Sequence, residues 1–271
     1  MRRTLQALPS PGKALAILSF MPRLSAVLIT GNEEKNLPAA LDSVTFCDEV
    51  LVVDSGSTDG TLDVARDRGA RIVVSAPWPG FVAQRTAATL LAQNDWVLAL
   101  DADERVSPPL KEEIEELRRT GFPDSGYRIP RVAQYLGKWI RATDWYPDRQ
   151  LRLYDRTMGG WQGDLVHESF RSRGNVRLLQ GEIHHHPYRD IAHHVAKINS
   201  YTSLWAQQSL AAGRRMSLVD GIGASAWAFF RNYVLKRGFV LGEAGFTIST
   251  LNAYYTYLKF VKLRELVRAS R

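Results

Sequence analysis

The chain has 271 residues, 45% of them apolar, and a formal net charge of +7 at pH 7. This length allows one sizeable α/β core with a smaller appendage, but not two full catalytic domains. The single cysteine, Cys47, excludes an internal disulfide and a cysteine-based zinc finger. Without zinc-finger spacing, the positive charge does not support a nucleic-acid partner, and we expect none.

The positive charge lies in the last part of the chain. Residues 191–271 contain 11 Lys and Arg against 3 Asp and Glu, so the first 190 residues are close to neutral. Basic and aromatic residues together suit an anionic membrane surface, although a helical core under a solvated basic face has the same composition. The aromatic residues of this tail include Trp205, Trp227, Phe229, Phe230, Tyr233, Phe239, Phe246, Tyr254, Tyr255, Tyr257 and Phe260.

The first twenty residues only superficially imitate a signal peptide. Two arginines precede an apolar run at residues 14–20, but Pro9 and Pro11 interrupt the segment and no A-x-A cleavage site follows. We interpret residues 1–20 as a leader or disordered extension, with Met21 as the true start. No run of about 18 uncharged apolar residues occurs, so we expect no membrane-spanning helix.

After Met21 the sequence alternates between apolar strands and amphipathic helices. Strands are predicted over residues 24–30, 49–54, 71–75 and 96–100. Helices are predicted over residues 33–44, from a Ser57 or Thr58 cap to about 68, and over 80–92 and 110–119. This alternation predicts an α/β fold with a doubly wound, mainly parallel sheet.

The remaining chain changes character twice. Residues 127–140 and 150–154 are typical of antiparallel strands, and the pattern beyond residue 190 is helical. Breaks in the helical pattern are expected near Gly213, 221–223 and Gly238. We therefore predict a catalytic domain at residues 21–190 and a basic, aromatic-rich helical extension at residues 191–271.

Polar residues follow three of the predicted parallel strands. Thr30, Asn32 and Glu33 follow the first strand, Asp54 ends the second, and Asp101-Ala102-Asp103 follows the fourth. Ligands of such sheets bind beyond the carboxyl ends of the strands. The three polar strand ends therefore predict a binding site at one edge of the sheet.

Asp101 and Asp103 are the candidate metal ligands. Alternation along a strand places both carboxylates on the same side of the chain. Two hard oxygen ligands suit Mg²⁺ or Mn²⁺, whose other positions would be filled by water and a diphosphate. A D-x-D pair alone is most often a solvated turn, and its place at the end of a fourth parallel strand makes it more specific.

The other strand ends are candidates for nucleotide binding. Asp54 can accept a hydrogen bond from a pyrimidine ring N–H, while Thr30, Asn32 and Glu33 can contact the base and ribose. The plainer alternative is that Asp54 begins a turn and Asn32 caps a helix. Arg85, on the helix before the fourth strand, either reaches a phosphate or is an exposed surface arginine.

These motifs resemble the family 2 glycosyltransferases of the GT-A fold, from Leu24 onward. The segments that carry the resemblance are Leu28-Ile-Thr-Gly-Asn-Glu-Glu, Val52-Val-Asp-Ser-Gly-Ser-Thr-Asp-Gly-Thr, Trp78-Pro-Gly-Phe with Gln84-Arg85, and Leu100-Asp-Ala-Asp-Glu-Arg-Val. The resemblance implies a nucleotide diphosphate sugar donor, with UDP as the expected nucleotide. It also implies a divalent metal at Asp103 with Asp101 nearby, and inversion at the anomeric carbon. Thr86 departs from the pattern, where Asn is expected.

Further segments are similar to the branch of lipopolysaccharide-core β-glucosyltransferases. They are Tyr127-Arg-Ile-Pro-Arg, Trp145-Tyr-Pro-Asp-Arg-Gln-Leu-Arg-Leu-Tyr, Val166-His-Glu-Ser, Tyr188-Arg-Asp and Asn252-Ala-Tyr-Tyr-Thr-Tyr-Leu-Lys. This similarity implies a hexose, glucose by analogy, and a glycolipid acceptor. It also places the enzyme in the cytoplasm, peripherally bound to the inner face of the cell membrane.

Inversion requires a base that removes the acceptor's proton. Glu168 is the first candidate, because residues 160–168 resemble the stretch that holds the acidic base in related folds. Asp164 is the second candidate and Asp144 the third. The alternative for Glu168 is a structural acceptor for an arginine such as Arg152 or Arg171.

The histidine-rich stretches do not predict a metal site. His184, His185 and His186 are adjacent, and neighbouring side chains of a strand point to opposite faces, so all three cannot bind one ion in a regular strand. One of them, or His167, is a possible third ligand or phosphate contact. We expect the others, with His193-His194, to be structural.

Two other enzyme classes fit less well. A sugar-phosphate nucleotidylyltransferase needs a glycine-rich, Arg-containing loop after the first strand, and a dehydrogenase needs G-x-G-x-x-G there; residues 30–34 supply neither. Two alternatives stay open. One is a polyprenyl-phosphate glycosyltransferase, whose anionic acceptor needs no base, and the other is a non-catalytic GT-A-like protein that tethers partners to a membrane.

Overall fold

A computed structural model describes residues 21–163 and 168–270. Its strands are β1 (Leu24–Thr30), β2 (Glu49–Asp54), β3 (Arg71–Val74), β4 (Trp96–Asp101), β5 (Glu104–Val106), β6 (Gly126–Tyr135), β7 (Lys138–Ile140), β8 (Asp148–Asp155), β9 (Gly159–Gln162), β10 (Ser169–Ser172), β11 (Val176–Leu178) and β12 (Ile183–His185). Its α-helices are α1 (Leu37–Asp42), α2 (Thr61–Asp67), α3 (Phe81–Leu91), α4 (Pro108–Arg119), α5 (Ile191–Ala211), α6 (Leu218–Phe230) and α7 (Glu243–Ala269). The predicted leader, residues 1–20, and the candidate base Asp164 lie outside the described residues.

The chain forms two compact units. The first contains the residues up to Pro130 together with Arg149–Ile183. The second contains Arg131–Asp148 and the residues from His184 onward. The first unit contains β1 to β5, β9 to β11 and α1 to α4, and the second contains β7 and α5 to α7. The strands β6, β8 and β12 have residues in both units.

The first unit confirms the predicted α/β fold with a mainly parallel sheet. The strand order is β3-β2-β1-β4-β8-β6-β12-β5, and β1 to β4 run parallel to one another. In register, Thr30 lies beside Asp54 and Ile29 beside Asp101, so the polar ends of three strands meet at one edge. β8 runs antiparallel to β4, as the sequence predicts for residues 150–154.

Apolar residues cover both faces of this sheet. Leu24, Leu28 and Leu98 belong to the cluster on one face, and Val27 and Leu51 to the cluster on the other. Every residue of β1 is buried, which is the pattern of a strand covered on both sides. The half-buried Cys47 packs against the first cluster, and burial raises the pKa of its thiol, so it is a packing residue and not an activated nucleophile.

The first helix is shorter than predicted. It begins at Leu37 and not near Glu33, with Asn36 at the N-cap and a proline in the first turn, while the preceding residues bond to the chain after β2. Asn32 N donates to Ser57 Oγ at 2.8 Å, and Glu33 N donates to Thr61 Oγ1 at 2.8 Å. Asn32 also has a left-handed backbone (φ 56°), which does not continue into a helix.

The predicted cap of the second helix is wrong. The helix α2 begins at Thr61, and neither Ser57 nor Thr58 caps it. The side chain that bonds the first backbone N–H of this helix is Asp59, whose Oδ1 accepts from Thr61 N at 3.1 Å. Ser57 is held instead by Asp54, to which its hydroxyl donates at 2.5 Å.

The second unit begins with a hairpin and ends in helices. Leu136 and Gly137 have positive φ values (48° and 74°), the backbone of a two-residue turn between β6 and β7. Gly213 follows α5 as predicted, with φ 70°. The predicted break at residues 221–223 is wrong, because both glycines lie inside α6; a Cβ on Gly221 would lie 2.8 Å from Phe260 of α7, so glycine permits close helix packing there.

Residues 231–242 connect α6 to α7 by a π turn at Arg231–Leu235 and a 3₁₀ turn at Gly238–Leu241. In the parts of the chain that the structure describes, no helix combines the length and apolar composition that crossing a bilayer requires. The helices α5 to α7 form the predicted helical C-terminal extension. Its association with a membrane stays a prediction.

Candidate active site

The end of β4 carries a cluster of carboxylates and arginines. Asp101 accepts from Arg85 Nη2 through Oδ1 (2.6 Å) and from Arg152 Nη2 through Oδ2 (3.0 Å). Arg85 lies on α3 and Arg152 on β8, and both are almost completely buried. Asp101 itself is about one-quarter exposed, with 24% of its side chain accessible. The first aspartate of the D-x-D motif is thus held by two guanidinium groups.

Sequence reasoning missed Glu104, which completes this cluster. Its side chain is fully buried, and it accepts from Arg152 Nη2 at 2.9 Å and from the backbone N–H of Asp101 at 3.0 Å. The hydrogen bond to the Asp101 backbone fixes the turn at the end of β4. The motif Asp-Ala-Asp-Glu contained the signal, but a Glu after a polar turn is usually solvated.

Arg85 also reaches Glu168, the first-choice base. Its Nε lies 3.3 Å from Glu168 Oε1, while its guanidinium carbon lies 4.9 Å from the centroid of the Trp161 ring. Trp161 is fixed in turn, since its Nε1 donates to Thr89 Oγ1 at 3.0 Å and to Tyr154 Oη at 3.1 Å. Arg85 therefore joins the end of β4 to Glu168, and does not project from the surface.

Asp103, the second aspartate of the D-x-D motif, is partly exposed. Among the described residues, no three His, Cys, Asp or Glu side chains are grouped so as to hold an ion by themselves. Mg²⁺ at a nucleotide site usually takes one or two carboxylates and completes its shell with water and phosphate. The carboxylates of Asp101, Glu104 and Glu168 lie around the guanidinium groups of Arg85 and Arg152, and Asp103 follows Asp101 by two residues.

Asp54 holds the turn after β2. It is fully buried, and its Oδ1 accepts from the backbone N–H groups of Gly56 (2.8 Å) and Ser57 (2.7 Å). This is the plainer of the two roles that the sequence left open. The carboxylate shapes the loop that would meet a nucleoside, and direct recognition of a base by Asp54 stays a prediction.

Asn32 and Glu33 are likewise tied into the loops. Asn32 Oδ1 accepts from the backbone N–H of Thr58 at 2.8 Å and does not cap a helix. Glu33 Oε2 accepts from Asn36 Nδ2 at 2.8 Å. The Asn32 bond joins the loop after β1 to the loop after β2, whereas the Glu33 bond stays within the loop after β1.

Thr30 has a buried hydroxyl at the carboxyl end of β1. The residue is 5% exposed at the end of β1, and no hydrogen-bond partner for its Oγ1 occurs in the described part of the chain. The adjacent Gly31 lies so close to the next loop that a Cβ would be 2.5 Å from Ser55 Oγ. Unsatisfied buried hydroxyls are rare in folded proteins, so Thr30 is a natural contact for a polar ligand.

The third-choice base, Asp144, lies in the second unit. It pairs with Arg231 and accepts from Asn232 Nδ2 at 2.9 Å, so its carboxylate has two structural partners. His194 lies in the same unit and is buried, which lowers its pKa to about 4 and keeps it neutral. Its Nδ1 lies 2.9 Å from Tyr135 Oη, and this contact supports the structural role expected for it.

The second unit contains a cleft of about 330 Å³. Its lining combines the aromatic side chains of Trp145 and Tyr188 with the polar side chains of Arg131, Asp148 and His185. Arg131 Nη2 bonds Asp148 Oδ2 at 2.6 Å, which fixes the polar side of the cleft. Apolar ring faces beside fixed polar groups suit a hydroxylated ligand such as a saccharide.

Comparison with known proteins gives consistent results. The profile described as Glycosyl transferase family 2 matches residues 25–219. An uncharacterized glycosyltransferase of Rickettsia typhi is 33% identical over 263 residues, covering 93% of this chain and 90% of its own. The lipopolysaccharide core biosynthesis glycosyltransferase LpsC of Rhizobium meliloti is 30% identical over 248 residues, covering 89% of this chain and 92% of its own.

Among solved structures, glucosyl-3-phosphoglycerate synthase of Mycobacterium tuberculosis matches with a TM-score of 0.37 and 23% identity, over 49% of this chain and 51% of that one. The family profile covers well over half of the present chain, and the two sequence relatives are matched along nearly their whole length. The chain belongs to the family 2 glycosyltransferases, and its relatives include an enzyme of lipopolysaccharide core biosynthesis.

Proposed function

We propose that this protein is an inverting glycosyltransferase that transfers a hexose, by analogy glucose, from a nucleotide diphosphate sugar to a lipid-anchored saccharide. The expected donor is a UDP-sugar, and the expected acceptor is of the lipopolysaccharide-core type. The observation that carries the proposal is the position of the buried Arg85. Its guanidinium group bonds both Asp101, at the end of β4, and Glu168.

The reaction is a single in-line displacement. An acceptor hydroxyl attacks the anomeric carbon of the donor and forms a new C–O bond on the face opposite the leaving group. The bond between that carbon and the diphosphate oxygen breaks, and the diphosphate leaves with the electron pair. Glu168 takes the hydroxyl proton, and Arg85 holds the Glu168 carboxylate in place.

The donor would lie along the carboxyl ends of β1, β2 and β4. The buried hydroxyl of Thr30 would bond the nucleotide, and the loop that Asp54 and Asn32 hold would contact base and ribose. Asp103 would hold Mg²⁺ or Mn²⁺, with Asp101 nearby in its arginine pairs. When bound, the ion supplies positive charge that stabilises the departing diphosphate.

A saccharide acceptor is supported by two features. One is the cleft of the second unit, where Trp145 and Tyr188 lie beside the fixed pair of Arg131 and Asp148. The other is the relationship to LpsC, whose name assigns it to lipopolysaccharide core biosynthesis. Such an acceptor is embedded in a membrane, so we place the enzyme in the cytoplasm at the inner face of the cell membrane.

A donor screen by thermal shift tests the proposal most directly. Sugars linked to UDP, GDP, CMP and ADP would each be added with and without Mn²⁺, since a ligand of the folded state raises its apparent stability by mass action. We expect a metal-dependent rise in Tm with UDP-linked sugars. No shift with any donor would contradict a catalytic role and favour the tethering alternative.

The acceptor class is tested separately by radiolabel transfer. With the donor that the screen identifies, transfer to lipopolysaccharide core acceptors would be compared with transfer to polyprenyl phosphate. The second acceptor is an anion that attacks without a base, so Glu168→Gln would leave transfer to it intact. We expect transfer to the core acceptor and its loss in Glu168→Gln.

A further inference from the structure

The outward face of α6 is an uncovered apolar stripe. Val219, Ile222, Ala226 and Phe230 follow one another at intervals of three and four residues, which places them along one side of the helix. Val219 is 77% exposed, Ile222 55% and Phe230 45%. Trp227, beside this row, is 55% exposed. Soluble helices usually present polar groups on such a face.

The stripe continues beyond the end of α6. Val234 and Leu235 of the π turn are exposed, and so are Phe239 and Val240 of the 3₁₀ turn. No charged residue occurs between Asp220 and Arg231. The apolar surface therefore extends from the start of α6 to the turn before α7, and it is larger than a scatter of single apolar residues.

The opposite face of α6 already has its partner. Gly221 packs against Phe260 of α7, and Ser225 Oγ donates to the backbone carbonyl of Ala253 on α7 at 2.8 Å. Phe229 joins this packing face, with its ring 5.8 Å from that of Phe246 on α7, while Val219, Ile222 and Phe230 stay exposed. A helix that served only the protein's core would be oriented the other way.

A buried polar network holds the turn after α6 in place. Asn232 is 1% exposed; its Nδ2 donates to Asp144 Oδ2 at 2.9 Å, and its Oδ1 accepts from Asp144 N at 2.8 Å. Asn252 of α7 adds a contact to Asn232 Oδ1 at 3.3 Å, and Thr143 N donates to the carbonyl of Lys236 at 3.0 Å. The exposed apolar side chains consequently project from a fixed segment.

Basic residues flank the stripe at both ends. Arg214 and Arg215 precede α6, and Lys236 and Arg237 follow it, all exposed, against the single exposed acid Asp220 in the first turn of the helix. Long basic side chains beside an apolar face reach lipid phosphates while the apolar residues enter the acyl boundary. The charge of the stripe's borders is thus complementary to an anionic bilayer surface.

We propose that the outward face of α6, together with residues 231–240, docks into the headgroup layer of an anionic membrane with the helix axis parallel to the surface. This inference deepens the proposed function by naming the surface that brings the enzyme to its glycolipid acceptor. Vesicle binding needs neither donor nor acceptor, so its result is independent of the proposed reaction.

The test is cosedimentation of the full chain with vesicles of equal parts phosphatidylglycerol and phosphatidylcholine, and with vesicles of phosphatidylcholine alone. We expect binding to the anionic vesicles that weakens with salt, and at least about tenfold weaker binding to the neutral ones. Absence of binding to the anionic vesicles would overturn the proposal.

Two variants locate the surface. Ile222→Ser/Phe230→Ser removes apolar area from the stripe without touching α7, and we expect it to weaken binding at least about tenfold. Lys236→Glu/Arg237→Glu tests the basic border, and we expect it to reduce binding to anionic vesicles selectively. Unchanged binding in the first variant would overturn the assignment of the stripe.

Leu90→Ser is the matched control, because Leu90 is 72% exposed but lies on α3 of the first unit. It should bind vesicles like the original protein, and loss of binding in this variant would contradict a localised surface. The competing occupant is a second copy of the chain. A dimer in size-exclusion chromatography with light scattering, converted to monomer by Ile222→Ser/Phe230→Ser, would also overturn the proposal.

Discussion

The two ends of the parallel sheet both bury acidic side chains, yet the clusters differ in composition. At the amino end, Glu49 accepts from Ser25 Oγ (2.5 Å), Gln93 N (2.7 Å) and Arg71 Nη2 (2.7 Å). Burial by itself raises the pKa of Glu49, but these hydrogen bonds outweigh burial and lower it. One carboxylate is thus satisfied by the protein alone, which is the mark of a structural cluster.

At the carboxyl end, the balance of groups is different. Asp101, Glu104 and Glu168 share two guanidinium groups, those of Arg85 and Arg152. Nearby, the buried hydroxyl of Thr30 has no partner among the described residues. The buried Thr30 hydroxyl, left without a partner by the described residues, is the feature of this end that favours a polar ligand. A buried carboxylate therefore distinguishes a functional site from a structural cluster only when its neighbours and its place on the sheet are also considered.

Among substitutions at the two ends of the sheet, Asp103→Ala should lower the catalytic rate the most. Asp103→Ala removes the carboxylate proposed to hold the metal, and the charge stabilisation lost is worth several kcal/mol, or a rate decrease of at least about 10³-fold. The measurement is kcat with Mn²⁺ titrated over a wide range. Asp63→Ala, an exposed aspartate on α2, is the control and should keep full activity. Mn²⁺-dependent activity retained in Asp103→Ala would rule out this metal assignment.

Replacing Glu168 should have the next largest effect. Glu168→Gln keeps the size of the side chain and removes the proton acceptor, so transfer should fall by about 10²- to 10³-fold. Donor binding, followed by the thermal shift, should stay unchanged because the proposed donor contacts lie on other residues. Glu116→Gln on the exposed face of α4 serves as the control. An active Glu168→Gln enzyme would show that Glu168 only orients Arg85.

At the other end of the sheet, Glu49→Gln should change stability and not chemistry. Loss of a charged acceptor that bonds Ser25, Gln93 and Arg71 should lower the free energy of unfolding by about 1–3 kcal/mol. Turnover per folded molecule should be unaltered. Urea unfolding followed by circular dichroism measures the first quantity, and a transfer assay on the same samples measures the second.

The pH dependence of that difference has a definite sign. The pKa of Glu49 is lowered in the folded protein from its ordinary value of 4.5. Its stabilising contribution is therefore complete above 4.5 and disappears as the pH falls through the lower, folded-state value. The gap in stability between the original protein and Glu49→Gln should narrow in that acidic range. A gap that stays constant there would contradict a structural role for the ionised carboxylate.

Much of this arrangement was predictable from local sequence patterns. The strands β1, β2 and β4 are apolar runs that end in polar residues, and the parallel register then brings Thr30, Asp54 and Asp101 to one edge. The rule that ligands bind at that edge needs no knowledge of side-chain contacts. The α/β fold and the position of the candidate site follow from these features.

The partners within the site were not predictable in the same way. Arg85 meets Glu168 across 83 positions of sequence, and Arg152 meets Glu104 across 48. Asn32 N likewise donates to Ser57 Oγ across 25 positions. Such contacts depend on the tertiary fold, and no local periodicity encodes them.

The smallest expected effect concerns residues 1–20. Two hydrogen bonds among later residues hold the start of β1 in place. Leu24 N donates to Asp48 Oδ2 at 2.7 Å, and Arg118 Nε donates to the carbonyl of Pro22 at 2.7 Å. Arg118 also pairs with Asp48, so one arginine connects the start of β1 to α4 and to the residue before β2. Deletion of residues 1–20 should therefore change turnover by less than about twofold, because ordered contacts and not chain termini set the stability of a domain. Transfer assays and Tm values of both forms measure this, and a folded but inactive truncation would show that the first twenty residues contribute to the reaction.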